Sequence, residues 1–332
     1  MEEVMIEAQK SIERYRALIE RQLKSFIRRS HPKPRFLAEP VEYVFGNRGK
    51  RIRPILVLLA CEAVNGRGRD ALPAGMAIEL LHNFTLVHDD IMDGADSRRG
   101  RATVHVRWDQ STAILAGDEL IALAYRALLE TRSPRLRPIV ESFTRAFVAV
   151  CEGQGYDKEF EVRHRVSLAD YMKMIDQKTA TIISAAAEIG GLIGGGRGMH
   201  IGALRAFGLH LGRAFQIQDD LLDVIGDAPQ IGKPVGADIA SGKKTYPLIR
   251  ALEKAKGVDR SLILRVINRN GARPPGVKRI RALYEEYGVL NDARKAVQRE
   301  TEKAKRLLRP LPSRQGRAAL SYFADQLMQR HS

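Results

Sequence analysis

The chain has 332 residues, 44% of them hydrophobic, which is enough for a sizeable core in one large domain or two ordinary ones. Its formal charge of +16 asks for an anionic partner, but Lys and Arg are scattered without zinc-finger spacing or an RNP-type aromatic motif, which argues against nucleic acid. Only two cysteines occur, Cys61 and Cys151; their apolar surroundings mark both as core residues and exclude a disulfide framework.

Along the chain, apolar residues recur every three to four positions over 4–27, 35–45, 54–64, 70–92, 109–130, 135–162, 168–193, 199–226, 244–255, 277–305 and 315–329. No run of clean alternation persists, so the predicted elements are all helices. The opening MEEVMIEAQK is acidic and amphipathic, unlike a secretory signal. Pro54 sits just inside a helix start, and Asp109 and Ser167 are placed to cap. TIISAAAEIGGLIGGG, interrupted by Ser184 and Glu188, is too short and glycine-rich to span a bilayer, so a cytoplasmic protein without a transmembrane segment is expected. GGGRG and GDAPQIGKPVG break the helical pattern. The densest basic region, 294–310, interleaves Glu300 and Glu302 with its cations and reads as a solvated helix face. No Ser/Gly or Pro-rich linker divides the chain, and several helices are apolar around most of their circumference. The expected architecture is therefore one all-α domain, residues 1–332, with central helices surrounded by others.

The chemistry lies in two copies of one pattern. HDDIMD places Asp89, Asp90 and Asp93 at the end of an apolar helix, and QDDLLD repeats the spacing with Asp219, Asp220 and Asp223. Asp89 and Asp93 share a helix face, as do Asp219 and Asp223. Like charges on one face, at the negative end of a helix dipole, need a cationic counterpart. Mg²⁺ suits them, because it takes one or two carboxylates and completes its shell with water and substrate phosphate. A single such motif is as readily an exposed helix end; two copies point to metal and, through it, to a diphosphate. Cationic segments, most of them beside glycines, add to this: Lys50, Arg51 and Arg53 in RGKRIRP, Arg98 and Arg99 in DSRRG, Lys178 in DQKTA, Lys233 in IGKPVG, and Lys243 and Lys244 in SGKKTYP.

GKRIRP, HDDIMDGADSRRG, GQGYD, QKTA, FQIQDDLLD and GKPVGADIASGKKT, in this order, resemble the motifs of the trans-isoprenyl diphosphate synthases of the polyprenyl synthetase family. The resemblance covers about residues 40 to 250 and implies an isoprenoid-synthase-type helical bundle around a central apolar cavity. It implies Mg²⁺-dependent head-to-tail condensation of isopentenyl diphosphate with an allylic diphosphate, in a homodimer. About three Mg²⁺ ions would be held by Asp89, Asp93 and Asp219, with Asp90, Asp220 and Asp223 in support. Arg98, Lys178, Lys233 and Lys243 match the grip on the allylic diphosphate. Lys50, Arg53, His82 and Arg99 match the metal-free site for isopentenyl diphosphate. The Lys178 carbonyl, the Thr179 hydroxyl and the Gln216 amide match the dipoles that steady the carbocation.

Two departures from the family pattern stand out: Ala102 where a proline is usual after the arginine pair, expected to loosen a turn, and the glycine and tyrosine of GQGYD in place of an aliphatic pair. In the family, product length follows the bulk below the first aspartate cluster, where Phe84 and Thr85 stand five and four positions before Asp89. One bulky and one small residue resembles the geranylgeranyl pattern, with farnesyl or longer products left open. A class I terpene cyclase would share only the first cluster. A silent partner subunit would have lost aspartates, and a non-catalytic basic helical binding protein would leave both clusters unexplained.

Overall fold

The computed structural model describes residues 2–30, 34–46, 49–226, 235–269 and 271–329. Helices account for nearly all of it: α1 (Glu2–Ser30), α2 (Arg35–Val44), α3 (Ile52–Ala63), α4 (Leu72–Met92), the short α5 (Val104–Arg107), α6 (Gln110–Leu129), α7 (Leu136–Val162) and α8 (Leu168–Ile175). After a single π turn at Asp176–Ala180 follow α9 (Thr181–Ile193), α10 (Gly198–Ile225), the short α11 (Ala237–Ala240), α12 (Tyr246–Lys254), α13 (Gly257–Asn268), α14 (Pro274–Glu286), α15 (Val289–Leu307) and α16 (Arg314–Met328). Among the described residues the only sheet is a hairpin of two-residue strands, β1 (Ser97–Arg98) and β2 (Arg101–Ala102). The all-α expectation therefore holds.

Local chemistry accounts for the helix starts. Pro54 is the third residue of α3, where the first-turn N–H groups have no intrahelical partner to lose. Asp109 accepts the Thr112 N–H at 2.8 Å at the head of α6. Ser167 and Asp170 form a reciprocal capping box at the head of α8.

Contacts group the chain into two compact units. The first comprises Met1–Phe147, Ala185–Arg205 and Leu308–Phe323. Its interior is α3, buried without a break from Pro54 to Cys61, with the apolar first half of α4. The second comprises Val148–Ser184, Ala206–Leu307 and Ala324–Ser332, with a core that includes Phe160, Tyr171, Ile217, Leu248, Leu283 and Tyr284. Each fully buried apolar side chain of this size contributes about 1.5–3 kcal/mol. α7, α9, α10 and α16 each supply residues to both units.

Periodicity misses or misjudges several features. The span expected as one helix over 277–305 is two, α14 and α15, broken at Gly288, whose φ of 65° suits a residue without Cβ. The hairpin was not anticipated, because two-residue strands carry no period to register, and α13 was not, because charged residues interrupt its apolar positions. Cys61 is buried, but Cys151 is exposed, on the same face of α7 as Val148, Glu152 and Gly155. Most of GDAPQIGKPVG, including Lys233, lies outside the described residues.

In the second unit, α10 and α15 are joined by a buried ion pair, His210 Nδ1 to Glu300 Oε2 at 2.7 Å, with Lys303 at 3.1 Å and Arg213 at 3.9 Å. Burial pushes the Glu300 carboxyl up, but the hydrogen bonds and charges of His210 and Lys303 outweigh it and hold the group at about 2. A carboxyl depressed in the folded state stabilises above its unfolded pKa, and that stability is lost as pH falls from about 4.5 through about 2. Glu300→Gln should flatten the stability profile in that window by on the order of 3 kcal/mol, read by denaturant titrations at stepped pH. An unchanged slope would remove the pair from the acid-unfolding account.

Candidate active site

α4 delivers the first aspartate cluster at its C-terminal end. Asp93 caps the helix with its N–H on the Asp89 carbonyl at 2.8 Å, so the two carboxylates leave one turn apart. Asp93 is exposed and Asp89 half-buried. Asp90 is buried and belongs to the protein interior. It accepts from Arg98 Nε at 2.8 Å and Nη2 at 2.7 Å, and burial raises its carboxyl more than Arg98 lowers it.

Arg98 is presented by the hairpin. Its two-residue loop, Arg99–Gly100, has positive φ at both positions (53° and 74°), the geometry that matches strand twist in a type I′ turn. Ala102, the departure from proline, lies in β2 opposite Ser97, and Tyr43 donates a hydrogen bond to its carbonyl at 2.8 Å. Tyr43 also carries the Arg101 and Arg107 guanidinium groups over its ring at 3.9 and 4.4 Å. These contacts tie the hairpin to α2.

At the N-terminus of α3, Arg51 is 3% exposed and sits in left-handed backbone (φ 49°). Its Nε meets Glu20 at 2.8 Å and its Nη1 meets Glu79 at 2.7 Å. Glu79 is 5% exposed, so the guanidinium joins two carboxylates from α1 and α4 in a dry setting. Lys50 and Arg53 flank this anchor. His82, one turn beyond Glu79 on α4, is held neutral: desolvation first, then the charges of Arg53, Arg99, Arg98 and Arg51, push its imidazole well below the usual range. Arg53, His82 and Arg99 thus share one electropositive neighbourhood with Arg51 and Arg98, while Lys50 is exposed. Sequence reasoning counted Arg51 among the cations and missed its two carboxylates; the signal was Glu79, a lone acid inside AIELLHNF.

Phe84 stacks edge-to-face on Phe147 of α7 at 5.4 Å and lies tilted on the His88 ring at 4.7 Å. Thr85 turns its hydroxyl back to the His82 carbonyl at 2.8 Å.

The second unit presents the other cluster on α10. Asp219 is exposed, whereas Asp220 is 5% exposed and accepts three bonds: Tyr171 Oη at 2.7 Å, Gln216 Nε2 at 3.0 Å and the Tyr246 N–H at 2.9 Å. Burial and the nearby Asp238 charge push its carboxyl up to about 7 against those bonds. Asp223, also buried, accepts the Asp238 N–H on its carboxylate at 3.1 Å and the Gly236 N–H on its carbonyl at 2.7 Å.

The π turn at Asp176–Ala180 re-aims DQKTA within what periodicity reads as one helix. Arg213 of α10 clamps its first residue, Asp176, with two bonds of 2.6 Å. Gly153 of α7 abuts it so closely that a Cβ there would stand 2.2 Å from the Lys178 nitrogen. Within the turn, Lys178 Nζ pairs with Asp157 at 2.5 Å, and Thr179 donates to Gln216 Oε1 at 2.8 Å. Thr179, Gln216, Asp220 and Tyr171 therefore form one continuous hydrogen-bonded chain. Lys243 is half-exposed, while its buried neighbour Lys244 donates to the Glu161 carbonyl at 3.1 Å.

Among the described residues no three His, Cys, Asp or Glu side chains converge as a closed metal centre. The donor set nonetheless fits Mg²⁺, which needs only one or two carboxylates per ion beside water and phosphate oxygens. Asp89, Asp93 and Asp219 supply hard oxygen donors at accessible helix positions, whereas Asp90 and Asp220 are held by protein donors.

A helical protein with two aspartate-rich helix segments and a nest of guanidinium groups beside one of them is built for diphosphate chemistry. The chain belongs to the polyprenyl synthetase family, whose model matches residues 34–286. The short chain isoprenyl diphosphate synthase of Methanothermobacter thermautotrophicus is 38% identical over 327 residues, 98% of this chain and 99% of that one. The crystal structure of geranylgeranyl pyrophosphate synthetase from Pyrococcus horikoshii is 36% identical with a TM-score of 0.89, covering 99% of this chain and 98% of that one. A polyprenyl synthase from Caulobacter crescentus, solved with calcium and isoprenyl diphosphate, is 29% identical with a TM-score of 0.88 over 97% of this chain and 98% of that one. This chain is thus a prenyltransferase with the isoprenoid-synthase fold. The cyclase, silent-subunit and binding-protein readings are not favoured.

Proposed function

We propose that the protein joins isopentenyl diphosphate to an allylic diphosphate, head to tail, until geranylgeranyl diphosphate is made. The observation that carries the C20 product is Phe84, five residues before Asp89 and roughly 7 Å along the helix. Stacking on Phe147 and His88 holds it in place to limit the growing tail. The similarity to the Pyrococcus geranylgeranyl pyrophosphate synthetase supports the same reading.

In this reading Asp89, Asp93 and Asp219 hold Mg²⁺, about three ions, with Asp90, Asp220 and Asp223 orienting the helices that carry them. When bound there, Mg²⁺ would supply the positive charge that offsets the departing diphosphate. Arg98, Lys178, Lys233 and Lys243 grip that diphosphate. Lys50, Arg53, Arg99 and the neutral imidazole of His82 hold isopentenyl diphosphate without metal. The Lys178 carbonyl, Thr179 and Gln216 direct dipoles at the allylic cation, and the tight packing of Gly153 on the π turn keeps those dipoles in position. The double bond of isopentenyl diphosphate attacks the cation, and a proton leaves to the released diphosphate.

We treat residues 1–332 as one catalytic domain, in the cytoplasm. Among the described residues no helix is long and apolar enough to cross a membrane. A homodimer is proposed as well, supported by the exposed Ile114, Leu115 (50%) and Leu129 (60%) of α6.

Purified protein incubated with labelled isopentenyl diphosphate, each allylic primer and Mg²⁺ should yield mainly C20 alcohol after dephosphorylation. Phe84→Ala should shift that product to longer chains, at a rate within about threefold of the parent because no reacting group is touched. A C20 product from Phe84→Ala would place the floor elsewhere, and no product from the parent would overturn the function.

A further inference from the structure

The charge of +16 is not explained by the active site, and its arrangement on α1 differs from that elsewhere. Lys10, Arg14, Ala17, Arg21, Lys24 and Arg28 are all exposed. At 100° per residue they fall within about 40° of one line along the helix. The opposite face, with Ile12, Tyr15, Ile19, Leu23 and Phe26, is buried. Between Lys10 and Arg28 no acid lies on the line. By contrast, the basic residues of α15 are mixed with acids, Lys303 and Lys305 being paired to Glu300 and Glu302.

Beside the line a groove of about 870 Å³ opens between α1 and the α3–α4 connection. Arg14 and Arg21 line it from α1, Arg67 and Arg69 from the connection, over a floor that includes Tyr15 and Leu18. Its acids are partly answered: Glu62 accepts from Tyr15 and stands 4.0 Å from Arg14, and Asp70 is chelated by Arg67 at 3.1 and 3.2 Å. Among the described residues Lys10, Arg21, Lys24, Arg28 and Arg69 form no ion pair.

We propose that this face rests on an anionic membrane surface, with the four-arginine groove receiving a phospholipid headgroup. Five aligned cations plus two from the connection are the number that holds a juxtamembrane basic segment to acidic lipid. Ile6, half-exposed on the same line, offers the apolar contact that such a surface takes up. Nucleic acid fits less well, because the line carries no exposed aromatic or amide side chain to stack on or read bases. A second copy would bring the same unmixed positive line against it. The face is independent of which product the active site makes.

Cosedimentation of the full chain with vesicles tests this. Equal parts phosphatidylglycerol and phosphatidylcholine should capture the protein at low salt, and phosphatidylcholine alone should not. The double variant Arg21→Glu/Arg69→Glu should bind roughly tenfold or more weakly while its prenyl-transfer rate without vesicles is unchanged. Arg294→Glu/Lys295→Glu, an equal charge change at exposed positions of α15, should bind like the parent. No capture by the anionic vesicles, equal losses in the two double variants, or tighter binding to duplex DNA through Arg21 and Arg69 would each overturn the proposal.

Discussion

Asp89→Asn should fold normally and lose on the order of 10³ in kcat, because a metal that neutralises a leaving group is worth several kcal/mol in the transition state. The substitution keeps shape but removes the charge and replaces one acceptor oxygen with an N–H donor. The charge it removes sits near a helix C-terminus, one turn from Asp93 and beside Asp90, where the helix dipole and like-charge repulsion work against it, so the melting temperature should change little. Steady-state rates at saturating substrates and Mg²⁺, with a thermal melt on the same sample, give both readings. Full activity in Asp89→Asn would remove the first cluster from the metal site. The contrast is Asp90→Asn, which weakens the hold on Arg98 rather than on an ion and should first raise KM for the allylic substrate.

Arg51→Ala should cost about 3–5 kcal/mol of folding stability, the usual penalty for removing one partner of a buried ion pair. Most of that loss comes from the carboxylates left behind. Glu79 is too buried for solvent to take the place of the guanidinium at 2.7 Å, and Glu20 loses its partner at 2.8 Å. Arg51→Lys keeps the charge but cannot fork to both acids, so it should recover only part. Because Lys50 and Arg53 flank the anchor, KM for isopentenyl diphosphate should rise more than kcat falls in Arg51→Lys. Denaturant unfolding and substrate titrations separate the two effects. An Arg51→Ala chain within about 0.5 kcal/mol of the parent would show that the network is solvated and contributes little.

The helices were legible because each depends on spacing within a few turns of chain. The period over 109–130 and the caps Asp109 and Ser167 needed no knowledge of neighbours. The repeated aspartate spacing was legible for the same reason, and with the ordered motifs it pointed to the family that the comparisons show. What each charged side chain does was not legible. Asp219 and Asp220 are adjacent in sequence, yet one is exposed and the other accepts bonds from residues 49 and 26 positions away. Lys243 and Lys244 divide in the same way, and Cys151 faces outward although its flanking sequence is apolar.

By itself, then, the sequence determined where this protein is helical, that two carboxylate clusters end or interrupt apolar helices, and which chemistry they suit. Tertiary structure alone decided that Arg51 is an anchor bridging partners 31 and 28 positions distant, that DQKTA forms a π turn clamped by Arg213, and that one face of α1 stays unmixed and open. The physical reason is range. Backbone periodicity and capping are settled within one or two turns, whereas desolvation and ion pairing depend on which distant segment packs against a side chain.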